Sequence, residues 1–319
     1  MTGLTLRGGQ EAGGLATGGV AEPRRPRPLR MLFIAVALAA CFVAIRLGLR
    51  DAPLLWFAAL RAMIAGVVLV MVAGVQRRPM PSGGHAWGLI TVLGLVNVTV
   101  AFAAMFAGVS ELATGTAAVL ANAQPLLILL PAWWLYGEAV SLRTAGALLA
   151  GFTGLVLVAV PGGGGSGAAL SVLSAVAITG GTLLARRLGG LDVIMAIGWH
   201  LILGGAALVI FAAVVEGPPV ISWTPRFVAV LAFLAVVGTA VTTVLWFIEA
   251  RRSRLDVLTA WTFLTPVLGI VLAAVAFGEQ PTGWTAVGLV TVLVALWVVV
   301  RPARERNSKR RVPFRRARE

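Results

Sequence analysis

The sequence predicts an all-α polytopic membrane protein, with ten transmembrane helices in two inverted five-helix repeats. Three observations lead there: an apolar composition, ten apolar runs of spanning length, and an internal repeat at one fixed offset. Of the 319 residues, 59% are hydrophobic and only 12% are charged, about half the charged share of a water-soluble domain. Polar ends at 1–29 and 302–319 enclose apolar runs near 31–49, 54–75, 86–108, 113–135, 142–160, 168–185, 192–214, 227–248, 257–277 and 283–300. Each run approaches the roughly 20 residues that a helix needs to cross a bilayer. A single cysteine excludes a disulfide framework, and two histidines leave a Cys/His metal site short of ligands. No cofactor or metal is expected. An enzyme is not expected either, because no nucleophile, base and orienting group gather at one predicted depth.

Residues 1–29 form a glycine-rich, basic segment with little apolar periodicity, which reads as a disordered tail. In the first span, Leu38-Ala39-Ala40-Cys41 looks like a lipoprotein cleavage box, but the apolar run continues through Phe42-Val43-Ala44-Ile45. A small buried thiol is the simpler reading of Cys41. Arg46 lies within a few residues of Asp51, so an interfacial ion pair between them is expected. Arg61 falls several residues inside the second span, where a lone cation is costly and has to face the bundle interior. The third span carries Asn97, and the fourth carries Asn122, Gln124 and Pro125. These polar groups suit either substrate binding or hydrogen bonds between helices. After Gly137-Glu138 the chain turns, and Ser141 is placed to cap the fifth span. Residues 162–167, nearly all glycine, lack the Lys-Ser/Thr pair of a phosphate loop and read as a linker.

Residues 168–301 repeat 30–161. At an offset of 141, Arg46-Leu47-Gly48 falls on Arg187-Leu188-Gly189, Asp51 on Asp192, Phe106 on Phe247, Pro125 on Pro266, Gly137-Glu138 on Gly278-Glu279 and Ser141 on Thr282. The repeat unit holds five spans, an odd number, so the second copy starts on the opposite side of the bilayer. An inverted pair lets one motif build a gate at each face around one site, the design of a carrier. His200 in span seven aligns with Arg61 once two residues are gapped. One of the two is suited to an anionic group and the other to a proton, against a snorkelling arginine and a hydrogen-bonded core histidine as the plainer readings. Trp199, Trp246 and Trp261 lie inside spans and can wall a cavity, while Thr262, Thr265 and Pro266 of span nine stand opposite the polar set of span four. Trp56, Trp87, Trp133, Trp134, Trp223, Trp284 and Trp297 fall near predicted interfaces, as an aromatic belt does. No Asp or Glu marks a span centre; Glu249 and Asp256 flank a turn.

The net charge of +14 follows this topology. The two tails and alternate loops carry 22 of the 26 basic residues, while the opposite loops hold only Arg50 and Arg226. The basic side, with both termini, is therefore expected in the cytoplasm of a multi-pass protein. The basic 302–319 tail fits anionic lipid better than nucleic acid. Arginine in place of lysine, with abundant alanine, glycine and valine, suggests a GC-rich bacterial genome and hence the inner membrane.

The ten-span doublet, the segment CFVAIRLGLRDAPLLWFAALR leading into span two, and the Pro-to-Tyr/Phe-Gly-Glu stretches of spans four and nine resemble the EamA family of the drug/metabolite transporter superfamily. That resemblance implies a basket of ten helices around a central cavity lined by spans one, three, four, six, eight and nine, with five and ten peripheral. It implies export of an amino acid, another metabolite or a toxic compound. A lipid-handling carrier and a non-transporting scaffold are the alternatives. The expected partners are a small-molecule substrate and membrane lipid, with a homo-oligomer left open.

Overall fold

The structure, a computed structural model, describes residues 26–127, 131, 142–159, 165–185, 187–252, 261 and 264–300. Every regular element among them is helical: α1 (Pro28–Gly48), α2 (Leu54–Val75), α3 (Gly84–Gly94), a π-helical segment (Leu95–Val100), α4 (Ala101–Glu111), α5 (Thr114–Ala121), α6 (Gln124–Leu127), α7 (Leu142–Ala159), α8 (Gly165–Ala185), α9 (Val193–Val215), α10 (Pro225–Ala232), a second π-helical segment (Phe233–Val241), α11 (Thr242–Arg252), α12 (Leu264–Phe277) and α13 (Gly283–Val300). Six stretches are long and apolar enough to cross a membrane: Pro28–Gly48, Leu54–Val75, Gly84–Glu111, Gly165–Ala185, Val193–Val215 and Pro225–Glu249. They coincide with predicted spans one, two, three, six, seven and eight. Shorter apolar helices stand in spans five, nine and ten. Residues 1–25, the C-terminal tail, Trp133, Trp134, Gly137, Glu138, Ser141, Asp256 and Thr262 lie outside the described residues.

Local chemistry sets the helix limits. Pro28 and Pro225 open α1 and α10, where a missing N–H costs nothing. Asp192 and Thr224 cap α9 and α10 by accepting from the N–H groups of Met195 and Phe227, each at 3.0 Å. Gly278 closes α12 with φ at +67°, the left-handed conformation that glycine adopts without strain. Thr282 then accepts from the N–H of Thr285 at the start of α13, as expected. Span four departs from the continuous helix expected. It breaks at Asn122 and Ala123, between α5 and α6, where the Asn122 amide turns back to donate to the Ala118 carbonyl at 2.7 Å and Pro125 follows without an N–H to give. Helix α8 begins at Gly165, inside the segment expected to be a linker, because Gly167 is packed against Glu111 and Leu112 at the end of α4.

Small residues let the helices approach closely, the usual basis of packing in lipid, which offers no hydrophobic drive between apolar surfaces. Gly198 lies against Gly66 and Val70 of α2, Gly66 against Ile202, and Gly205 against Met63. Numbers fall along α2 as they rise along α9, so the two helices run antiparallel. The same holds for α7 and α13, where Gly154 meets Gly288 and Val292 while Gly288 meets Val158. In both pairs the partners are repeat mates. Another contact recurs at the 141-residue offset too. Arg30 pairs with Glu249 as their mates Ser171 and Gly108 pack together. Asp51 and Asp192 each take an arginine from the other half of the chain, Arg226 and Arg78 respectively, at 2.8 Å. These ion pairs flank the two ends of α2, about 33 Å apart at 1.5 Å per residue.

One expected contact is replaced. Arg46 does not pair with Asp51. It donates to the Val109 and Leu112 carbonyls at 2.8 and 3.2 Å, at the C-terminal end of α4, where carbonyls lack helical partners. Glu279 serves the N-terminus of α5, accepting from the N–H groups of Thr114 and Gly115 at 2.9 and 3.1 Å. Large apolar side chains such as Met71, Val75, Val214 and Val275 are exposed on the outside, as lipid contact requires.

Candidate functional site

A cavity of about 150 Å³ lies between α1, α2, the α3–α4 helix, the α5–α6 break, α8 and the α10–α11 helix. Its charged member is Arg61, only 3% exposed. Its Nε donates to the Thr239 hydroxyl at 2.8 Å, and one terminal nitrogen lies 3.8 Å from the Cys41 sulfur. The other has no partner among the described residues. The guanidinium rests on the ring of Phe102, 4.5 Å from its centroid, with Phe106 at 5.8 Å.

The π-helical segments hold the polar groups that face this cation. A π turn is wider than an α turn and is common at functional sites. In the second segment the hydroxyl of Thr239 returns to the Leu234 carbonyl at 2.7 Å, and just beyond it, at the start of α11, that of Thr242 returns to the Val237 carbonyl at 2.6 Å. Asn97 belongs to the first segment and Gly181 leaves room for its side chain. Across the cavity Gln124 donates to the Thr182 hydroxyl at 2.8 Å, which in turn donates to the Ile178 carbonyl at 2.9 Å. Trp246, Ile34 and Leu38 form an apolar wall, backed by Met31, Leu245 and Trp261.

Of the residues expected at the site, Arg61, Asn97, Asn122, Gln124 and Trp246 line this one cavity. Pro125 follows Gln124 in α6, and Trp261 packs within the cluster that contains Trp246. His200 is buried on α9 away from the cavity lining, with neither ring nitrogen partnered among the described residues. Its carbonyl faces Gly94 of α3. The ungapped mate of Arg61 is Ile202, which packs on Gly66, so the two-residue gap that aligned His200 with Arg61 has no counterpart in space. Trp199 stacks edge-on with Trp87 at 5.2 Å, away from the cavity. Thr265 and Pro266 are buried on α12 and take no part in the lining. Span two, absent from the lining spans that the family resemblance implies, contributes Arg61.

Sequence reasoning missed Phe102, Met105, Thr182, Thr239 and Phe247. The repeat held a signal for Met105, the mate of Trp246. Asn97 and Gly238, Phe102 and Thr243, and Met105 and Trp246 are mates at the offset of 141, and all six line the cavity. The cavity therefore draws equivalent positions from both halves of the chain.

Fold and site together define an all-helical polytopic membrane protein with a cation-bearing cavity, largely apolar in its lining, between its helices. Comparison with known proteins narrows this. Residues 29–160 and 165–301 each match the EamA-like transporter family, and the chain belongs to that family. A chloroplastic WAT1-related protein of Arabidopsis thaliana is 32% identical over 76% of this chain and 61% of its own length. An uncharacterized transporter of Synechocystis is 26% identical over 81% of this chain and 84% of its own. Protein PecM of Dickeya dadantii is 27% identical over 78% and 83%. A solved crystal structure covering 85% of this chain and 94% of its own superposes with a TM-score of 0.63 at 20% identity, so the fold is shared.

Proposed function

We propose that this chain is a secondary transporter of the bacterial inner membrane, exporting a small metabolite, amino acid or drug by alternating access. Its ten spans form two inverted halves, with both termini in the cytoplasm and the cation-bearing cavity as the transport site. One observation carries the reading: three pairs of repeat mates converge on a single cavity. Equivalent positions meet in this way where a twofold axis passes through the site, and such an axis lets the halves exchange inward and outward access. The antiparallel pairing of α2 with α9 and of α7 with α13 supports the inversion.

The test compares a strain lacking the gene with the same strain carrying it. Intracellular and extracellular small molecules are profiled, and the compounds that differ are followed into sealed vesicles containing the purified protein. Retention of a compound by the deletion strain, with protein-dependent flux in vesicles, is the expected result. Equal profiles and no protein-dependent flux refute transport. Reporter fusions at the two termini test the inversion, and reporters on opposite faces would end it.

A further inference from the structure

We infer that the cavity is built for a compact organic anion carrying one carboxylate, held by Arg61. This rests on the reading of the cavity as the transport site and names the class of compound it takes. The starting point is charge. Every carboxylate among the described residues is engaged elsewhere. Asp51 binds Arg226, Asp192 binds Arg78 and Glu249 binds Arg30. Glu216 accepts from the N–H groups of Leu55 and Trp56, and Glu279 from those of Thr114 and Gly115. Glu111 accepts from Ser166. None lines the cavity, so among the described residues Arg61 stands there without a fixed counter-ion.

A buried cation without an anion is costly, and a guanidinium has five N–H donors to satisfy. Thr239 takes the Nε–H, and the Cys41 sulfur at 3.8 Å is a weak acceptor for one terminal nitrogen. The other terminal nitrogen is buried and has no partner among the described residues. The free side of the guanidinium is thus its planar fork of terminal nitrogens, whose spacing matches two carboxylate oxygens. The remaining lining fits the rest of such a molecule. Trp246, Met105 and Phe247 offer apolar contact, while Asn97 and Gln124 offer hydrogen bonds to a substituent. An ammonium group would meet no carboxylate among the described residues there, which disfavours cations and amino-acid zwitterions. In size, about 150 Å³ matches an apolar cavity known to admit benzene.

Benzoate, benzamide and benzylammonium share one ring and differ in charge, so they serve as probes. Their binding to the purified full chain in lipid nanodiscs is measured by calorimetry. Benzoate is expected to bind about 10- to 100-fold more tightly than either isostere, as a charge-assisted hydrogen bond gives. Arg61→Gln should remove that preference and Arg61→Lys should keep it at weaker affinity. Trp246→Ala should weaken benzoate while preserving its lead over benzamide, which places the probe in this cavity even where Arg61→Gln fails to fold. Absence of benzoate binding, equal or tighter binding of either isostere, a preference that survives Arg61→Gln, or an unchanged affinity in Trp246→Ala would each overturn the inference. The transporter reading is judged separately by vesicle flux: protein-dependent flux of neutral solutes unaffected by Arg61→Gln would sink the anion assignment alone.

Discussion

Gly94→Ala is the sharpest test of how the bundle holds together. A β-carbon at Gly94 would lie 2.6 Å from the His200 carbonyl oxygen and 3.0 Å from the Gly204 nitrogen. Ordinary contact begins near 3.4 Å, and backbone atoms cannot swing aside as a side-chain tip can, so α3 and α9 have to part by about 0.8 Å. Overpacking of this kind costs about 1–3 kcal/mol. Parting the helices also stretches the hydrogen bond from the Thr99 hydroxyl to the Gly204 carbonyl, now 2.9 Å, which adds about 0.6–1.7 kcal/mol in a membrane interior. The expected total is about 2–5 kcal/mol, read as a lowered unfolding temperature of the purified protein in detergent. Gly88→Ala on the same helix is the control, because nothing lies within 4 Å of its β-carbon position. Its higher helix propensity should stabilise by up to about 1 kcal/mol. If Gly94→Ala melts with Gly88→Ala, the close approach of these two backbones is wrong.

Three further outcomes are expected. Burial raises the Asp192 carboxyl, but the Met195 N–H and Arg78 outweigh it and hold the group below the usual carboxylate range. Its contribution is therefore complete above the unfolded aspartate pKa and is lost as pH falls through the lower folded value. Acid titration of thermal stability should show this loss in the wild type and a smaller one in Asp192→Asn; parallel curves would contradict it. Glu279→Gln, which turns one acceptor into a donor at the start of α5, should cost about 0.5–2 kcal/mol by thermal melting, the range for a lost helix cap. Finally, Asp51→Cys with Arg226→Cys in a Cys41→Ala background, bridged by a short thiol-cleavable reagent, should block vesicle transport until reductant is added. Full transport while bridged would mean that this end of the bundle does not need to open.

Much of the fold was legible because lipid imposes a simple rule on a chain. Apolar runs of about 20 residues and alternating basic loops gave six of the long helices nearly to their ends. The polar members of the site were legible for the same reason: Arg61, Asn97, Asn122 and Gln124 are costly within a span, and they meet at one cavity. What escaped depends on rotation about the helix axis, which hydropathy does not encode when a helix is apolar all round. Thus His200 and Thr265 are as polar as Asn97, yet they are buried between helices. Phe102 and Met105, indistinguishable from lipid-facing residues in sequence, support the cation and the wall. The pairing of Asp51 with Arg226 in place of its neighbour Arg46 was equally hidden, since partners 175 residues apart are set by the meeting of α1 with α10.

The two π-helical segments, Leu95–Val100 and Phe233–Val241, occupy equivalent places in the two halves and carry Asn97 and Thr239. A stretch of this kind stores a surplus residue that an α-helix would not accommodate. Passing that surplus along the axis turns everything beyond it by about 100° and advances it about 1.5 Å. Met105 and Trp246 stand beyond the two segments, so such a twist re-aims them while the glycine seam between α2 and α9 stays shut. The surplus residues thus sit on the two helices that bring Asn97 and Thr239 to the cavity.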